Sequence, residues 1–275
     1  MNAPSPKPRP ELADPVLLRE LRGSIALLTL NRPAQRNALS EALIAALHTE
    51  IEAIGADTAI RAVVIAANGP AFSAGHDLKE LTARRGDADR GHAYFRQIMT
   101  SCSAMMQAIV HCPKPVIAAV NGIATAAGCQ LVATCDLAVA STAARFATPG
   151  VDIGLFCSTP MVALTRNVPR KQAMEILLTG EPVPAARARE IGLVNRVVAE
   201  GTEVDEAIAL GNVIASKSMH TVKIGKTAFY RQAEMSLAEA YAYASEVMTE
   251  NMMARDAIEG ISATIEKRKP RWEDK

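Results

Sequence analysis

From Ser24 onward, short apolar runs alternate with amphipathic stretches. Ile25–Leu30 (IALLTL), Ala62–Ala67 (AVVIAA) and Val116–Val120 (VIAAV) have the length and β-branched content of buried strands. Residues 40–54 and 93–110, lying between them, are long enough for helices. Strand, helix, strand, helix, strand predicts parallel pairing through crossovers, hence an α/β class. Ser40 and Glu41 open the first helix, whose apolar stripe is Leu43, Ala46, Leu47 and Ile51, and Gly55 is positioned to stop it. A further unit follows: a turn at Asn121 and Gly122, a small-residue helix over 128–133 and a strand over 136–140. The last strand is expected over 193–198.

Beyond Glu200 only helical patterns remain, with Met235, Leu237, Ala240, Tyr243 and Val247 forming an apolar stripe. Such a tail is either a lid on the α/β core or an oligomer interface. Residues 1–10 (MNAPSPKPRP) carry four prolines and no apolar periodicity, which predicts an extended or disordered leader. The chain therefore divides into a leader (1–15), an α/β core (16–200) and a helical C-terminal region (201–275).

Composition narrows the function classes. The chain is 49% hydrophobic but only 4% aromatic, which suits close helix-on-sheet packing. Its formal charge is +1 with both signs interspersed, so no field draws it to nucleic acid or to an anionic membrane surface. No apolar run reaches the roughly 18 residues of a membrane span. Cys102, Cys112, Cys129, Cys135 and Cys157 include no CxxC pair, and His48, His76, His92, His111 and His220 are scattered, so no metal cofactor is implied. Reduced structural thiols, an alanine-rich composition and the proline-rich leader predict a cytoplasmic protein of bacterial origin.

Two loops stand where α/β proteins bind ligands, after a strand and before a helix: 72–81 (FSAGHDLKEL) and 121–131 (NGIATAAGCQL). Their small residues (Ala74 and Gly75; Ala124, Ala126, Ala127 and Gly128) leave main-chain N–H groups uncovered, so two could converge on one carbonyl oxygen. The same residues also simply permit tight turns. Neither loop has a nucleotide motif.

LTLNRPAQRNAL, AFSAGHDLKEL, KPVIAAVNGIATAAGCQLVATCDLAVAS and REIGLVNRVV, in this order, resemble the crotonase (enoyl-CoA hydratase/isomerase) superfamily over residues 24–268. ATPGVDIGLFCSTP and EKRKPRW resemble more particularly the enoyl-CoA hydratase domain-containing protein 3 group. The resemblance implies a spiral of ββα units with an all-helical C-terminal oligomerisation region, assembled as a homotrimer or a dimer of trimers. It implies an acyl-CoA or enoyl-CoA ligand in fatty acyl metabolism, with coenzyme A entering as part of the substrate and no separate bound cofactor.

Residue by residue, the resemblance puts the thioester carbonyl between the backbone N–H groups of His76 and Ala127. Each such donor is worth about 3 kcal/mol to a developing oxyanion. The His76 ring is expected at the surface or lining adenine. Arg36, Ala38, His76, Asp77, Leu78 and Lys79 are expected along the coenzyme. Lys267, Arg268 and Lys269 either reach its phosphates or face solvent. The two glutamates of the family's hydratases fall on Gln130 and Gly150, which can exchange no proton, so hydration should be severely impaired. Asp152 is the weak candidate replacement, and Cys157 and Ser158 follow in the next loop. Gln130 could orient a ligand by hydrogen bonding. Three readings follow: an active lyase or isomerase using Asp152, a non-catalytic acyl-CoA-binding regulator, or a ligand-free scaffold.

Overall fold

The computed structural model describes residues 14–275; the proline-rich residues of the expected leader lie outside that range except at its end. The three apolar runs form β2 (Ile25–Leu30), β3 (Ala62–Ala67) and β5 (Val116–Val120), preceded by β1 (Leu17–Arg22). With β7 (Leu137–Ser141) and β10 (Arg196–Val198) they make a six-stranded sheet in the order β1-β2-β3-β5-β7-β10. β1 pairs antiparallel with β2, and every other pair is parallel. Alternation sorts the side chains: Ala26, Leu28 and Leu30 enter the main core, while Ile25 and Leu27 face the opposite cluster with Val64 and Ile117.

Each crossover after β3 contains a short strand that joins a second sheet before the helix begins. β4 (Ala71–Ser73), β6 (Ile123–Thr125), β8 (Arg145–Ala147) and β9 (Val183–Pro184) form this four-stranded layer in that order. Long strand, short strand, helix is the repeating ββα unit, and the chain winds it into the expected spiral. α1 (Glu41–Ala56), α2 (Leu78–Ala83), α3 (His92–His111), α4 (Ala127–Thr134), α5 (Ser158–Asn167), α6 (Arg170–Thr179) and α7 (Ala185–Glu190) complete the units. Ser40 caps α1 by accepting from the Leu43 N–H at 3.2 Å. Gly55 does not stop that helix, which runs one residue further; a Cβ there would meet Pro113 Cδ at 3.2 Å, so its role is close packing.

α8 (Glu203–Ala215) covers the second face of the large sheet through Ala207, and Gly211 brings it so close that a Cβ would stand 3.2 Å from Ile25 Cδ1. α9 (Met219–Gln232), α10 (Leu237–Met253) and α11 (Arg255–Ile265) follow. α9 is clamped to the core by Lys226, whose Nζ donates to the carbonyls of Ile109 and Lys114 and, at 2.7 Å, to Asp136. Tyr230 donates to the other Asp136 oxygen. On α10, Ala240, Tyr243 and Val247 are half-buried, whereas Leu237, Tyr241, Met248 and Met252 are exposed along another face. All five cysteines are buried and free. No helix among the described residues is long and apolar enough to cross a membrane.

Candidate functional site

The two small-residue loops meet. β4 and β6 are parallel neighbours, so their chains leave the small sheet side by side, one into α2 and one into α4. Gly75 marks the closest approach: a Cβ there would lie 2.9 Å from Ala126 Cβ and 3.2 Å from Ala127 N, and its φ of +85° also favours glycine. Gly128 is required by a different contact. A Cβ on it would stand 2.3 Å from the Ser73 carbonyl oxygen, so this glycine seats α4 against β4 rather than baring backbone for a ligand.

Around the junction the backbone donors are accounted for one by one. Gly75 N–H donates to Ser73 Oγ at 3.3 Å, Asp77 N–H to the Leu39 carbonyl at 3.3 Å, and Ala126 N–H to the Ala147 carbonyl at 2.9 Å. Among the described residues the N–H groups of His76 and Ala127 have no acceptor. For Ala127 the cause is its place at the first position of α4, where no preceding helical carbonyl exists. Ala126 just before it has φ 49° and ψ −118°, a region costing a non-glycine residue about 1–3 kcal/mol. Its two ends are fixed, since its carbonyl also accepts from Gln130 N–H at 3.0 Å. The strained peptide turns the next N–H out of the ladder.

The first loop is braced by residues that sequence reasoning passed over. Buried Asn37, in the left-handed region with φ 51°, donates to the carbonyls of Asn68 and Ala71 and accepts from Arg32 N–H. Asparagine tolerates that conformation, which is the one signal the sequence offered. Arg32 then bonds the Ala38 carbonyl at 2.6 Å and the Asp77 carboxylate at 3.0 Å. Asp77 also caps α2 by accepting from Lys79 N–H. Burial raises the Asp77 pKa, but Arg32 and the Lys79 and Glu80 N–H groups outweigh it and hold the carboxyl below its ordinary range. Its carboxylate is thus engaged within the protein, while Arg36, Leu78 and Lys79 are exposed.

His76 is half-buried. Both ring nitrogens are enclosed without a hydrogen-bond partner, and burial pushes the pKa down against a smaller opposing effect from the Leu39 backbone. The backbone of His76 pairs with Leu39 in an isolated parallel bridge.

The resemblance assigns the family's acid and base positions to Gln130 and Gly150. Gln130 is 5% exposed, with Oε1 enclosed and unpaired. Beside Gly150 there is no room: a Cβ would meet Cys157 Sγ and the Leu155 carbonyl oxygen, both at 2.9 Å. Asp152 is exposed, and its Oδ2 stands 3.2 Å from the Cβ position of Gly180 at the end of α6. The carboxylate thus lies against the C-terminal end of that helix. Burial raises the Cys157 thiol, with the Gly150 backbone pulling the other way. Lys267, Arg268 and Lys269 lie past the end of α11 rather than within it, because Lys267 takes φ 55°. Arg268 is committed to Glu259 and Glu266, each at 2.6 Å.

The arrangement leaves two main-chain donors open to polarise a carbonyl, and the Asp77 carboxylate next to one of them is engaged by Arg32. Comparison with known proteins gives this geometry a family. The model of the enoyl-CoA hydratase/isomerase family matches residues 20–275. The human mitochondrial enoyl-CoA hydratase domain-containing protein 3 is 47% identical over 266 residues, 97% of this chain and 84% of that protein. A crystal structure of an enoyl-CoA hydratase from Mycobacterium smegmatis superposes with a TM-score of 0.89 at 51% identity, covering 94% of this chain and 99% of that one. The expected bacterial cytoplasmic setting does not hold against these findings, since relatives at 47–48% identity from rat, human, Xenopus and mouse are named as mitochondrial proteins. Composition and a proline-rich start do not determine a compartment. The match over nearly the whole chain, on a fold of ββα units with two bare N–H groups at the loop junction, makes this chain a member of the enoyl-CoA hydratase/isomerase family.

Proposed function

We propose that the protein binds acyl-CoA thioesters, with the thioester carbonyl between the N–H groups of His76 and Ala127, and that it does not hydrate them. The observation that carries this reading is the pair of N–H groups on adjoining loops that have no acceptor among the described residues, together with Gly150, beside which no side chain fits. Main-chain donors fixed in place stabilise charge gathering on a thioester oxygen with little reorganisation, and the dipole of α4 adds to them. Gln130 cannot exchange a proton near neutral pH, and the space beside Gly150 is filled. Asp152 as a substitute acid is disfavoured by its position against Gly180.

Along the coenzyme, exposed Arg36, Leu78 and Lys79 and the backbone of Ala38 and Asp77 form the wall, with Lys267 and Lys269 as the remaining cations for its phosphates. The exposed α10 row of Leu237, Tyr241, Met248 and Met252 supports a homotrimer or a dimer of trimers. The test uses a short-chain enoyl-CoA, first with protein in excess and then at catalytic level, following the conjugated thioester absorbance and the products by chromatography. Full recovery of the thioester, with a raised melting temperature in its presence, is expected. Consumption at catalytic level would refute the non-hydrating part, and absence of any thermal shift would refute binding.

A further inference from the structure

The helices after α8 add little to the apolar interior. Neither of the two apolar clusters that flank the large sheet contains a residue beyond Ala215. α9 buries only Met219, α10 buries no residue, and α11 buries Asp256 and Ala263. Elements with so few buried apolar contacts open at low free energy unless polar contacts hold them. Residues 271–275 supply such contacts. Lys267, at φ 55°, reverses the chain after α11, and Glu259 holds the returning segment by accepting from Arg271 N–H at 2.7 Å. The buried Asp256 carboxylate, in the first turn of α11, accepts from Glu273 N–H at 2.7 Å and from Asp274 N–H at 2.9 Å. The Asp274 carboxylate accepts from Met219 N–H at the start of α9, at 2.7 Å, and pairs at 2.7 Å with Arg61, the residue before β3. Asp274 therefore ties α11, α9 and the large sheet together. Trp272 donates from Nε1 to the Ser216 carbonyl at 2.9 Å, and its ring lies 3.1 Å from where a Cβ on Gly260 would stand. It walls a cleft of about 670 Å³ between α9 and α11, together with Val222, Met252, Ile261 and Ile265. Further polar attachments, from Lys226 and Tyr230 to Asp136 and from Arg166 to Glu234, engage α9 and the turn after it, not α11.

We propose that residues 271–275 are a strap that closes α9, α10 and α11 onto the α/β core, and that these helices open as a unit of their own when the strap lets go. Hydrogen bonds to a carboxylate are roughly twice as strong as neutral ones, so a few of them hold a unit that buries so little apolar surface. Release takes away the Trp272 wall and exposes the cleft between α9 and α11 to water. The sheet does not depend on the strap, because α8 and the helices before it enclose both of its faces.

Trp272 is the single tryptophan of the chain and sits within the strap, so its fluorescence reports release directly. The experiment follows Trp272 emission and the hydrogen exchange of β2, β3 and β5 in the full chain, through one guanidinium series at fixed protein concentration. The Trp272 transition should come at lower denaturant than loss of protection in the strands. Asp256→Ala combined with Asp274→Ala should move the Trp272 transition lower still and leave the strands at their parent midpoint. Without denaturant, the same variant should speed exchange in α11 at least about tenfold. Asp256→Asn, which keeps one acceptor oxygen, should fall between the two, and it carries the test if the double variant does not fold. Coincident Trp272 and strand transitions in the parent would overturn the proposal. So would strands that shift together with Trp272 in the variants, or a Trp272 transition that neither variant moves.

Discussion

The space beside Gly150 decides whether any side chain could be accommodated there, and Gly150→Ala is the smallest perturbation that probes it. The added methyl would sit 2.9 Å from Cys157 Sγ and 2.9 Å from the Leu155 carbonyl oxygen. A thiol can turn aside, but the carbonyl belongs to a tight turn closed by Leu155 N–H donating back to the Gly150 carbonyl at 2.8 Å. The backbone must therefore shift, and overpacking by one methyl typically costs about 1–3 kcal/mol. At the middle of that range, ~2 kcal/mol, the melting midpoint of a chain this long should fall by about 4–8 °C. In a Cys157→Ala background only the Leu155 contact remains, so the cost of Gly150→Ala should roughly halve, a coupling of ~1 kcal/mol between touching residues. Four thermal melts at equal protein concentration complete the cycle. If Gly150→Ala melts at or above the parent, or if the coupling vanishes, the space is open and the argument against a glutamate there fails. The corollary is that Gln130→Glu with Gly150→Glu should hydrate no enoyl-CoA.

Three further perturbations test other parts of the structure. Ala126→Gly should raise the melting midpoint, because relief of about 1–3 kcal/mol of strain at φ 49° outweighs the roughly 0.4–1 kcal/mol of added unfolded-state entropy; a fall would contradict the strained assignment. Lys226→Met strips the cation from an Asp136 whose side chain is only 16% exposed, and should destabilise by about 3–5 kcal/mol in denaturant melts, with Asp136→Asn added to it recovering part of the loss. His76 titrates below its ordinary 6.5 because burial disfavours the imidazolium. The unfolded chain therefore takes up the proton first, and stability should decline as pH falls below about 6.5. Denaturant midpoints measured from about pH 8 to 5 should show that decline shrink in His76→Gln; an identical slope would mean the ring is solvated.

What the sequence disclosed follows from how local each signal is. β2, β3 and β5 announce themselves because all of their residues are buried or nearly so, and buried parallel strands read as unbroken apolar runs. β1 escaped because LLRELR is exposed at all but its first position and lies at a sheet edge. The strands of the small sheet escaped because two or three residues cannot express a period. Gly55 was misread as a stop because the reason for it, Pro113, lies 58 positions further along the chain, out of reach of any local pattern. Within the site, the bare loops were legible as small residues. The engagement of Asp77 by Arg32 was not, since the partners are 45 positions apart. The enclosed ring nitrogens of His76 and the strain at Ala126 arise likewise only when the two loops are brought together.

The contrast between the loop junction and the Gln130 and Gly150 positions has a simple physical asymmetry behind it. The His76 and Ala127 donors are main-chain groups, kept by any residue that preserves the turn, whereas acid and base functions reside wholly in side chains and vanish with one substitution each. The contacts around the junction constrain its shape strictly: Gly75 against Ala127 and Gly128 against Ser73 leave no space for a methyl. The contacts around Gly150 constrain its emptiness just as strictly, through Cys157 and Leu155. The turn after β8 is thus packed for a residue without a side chain.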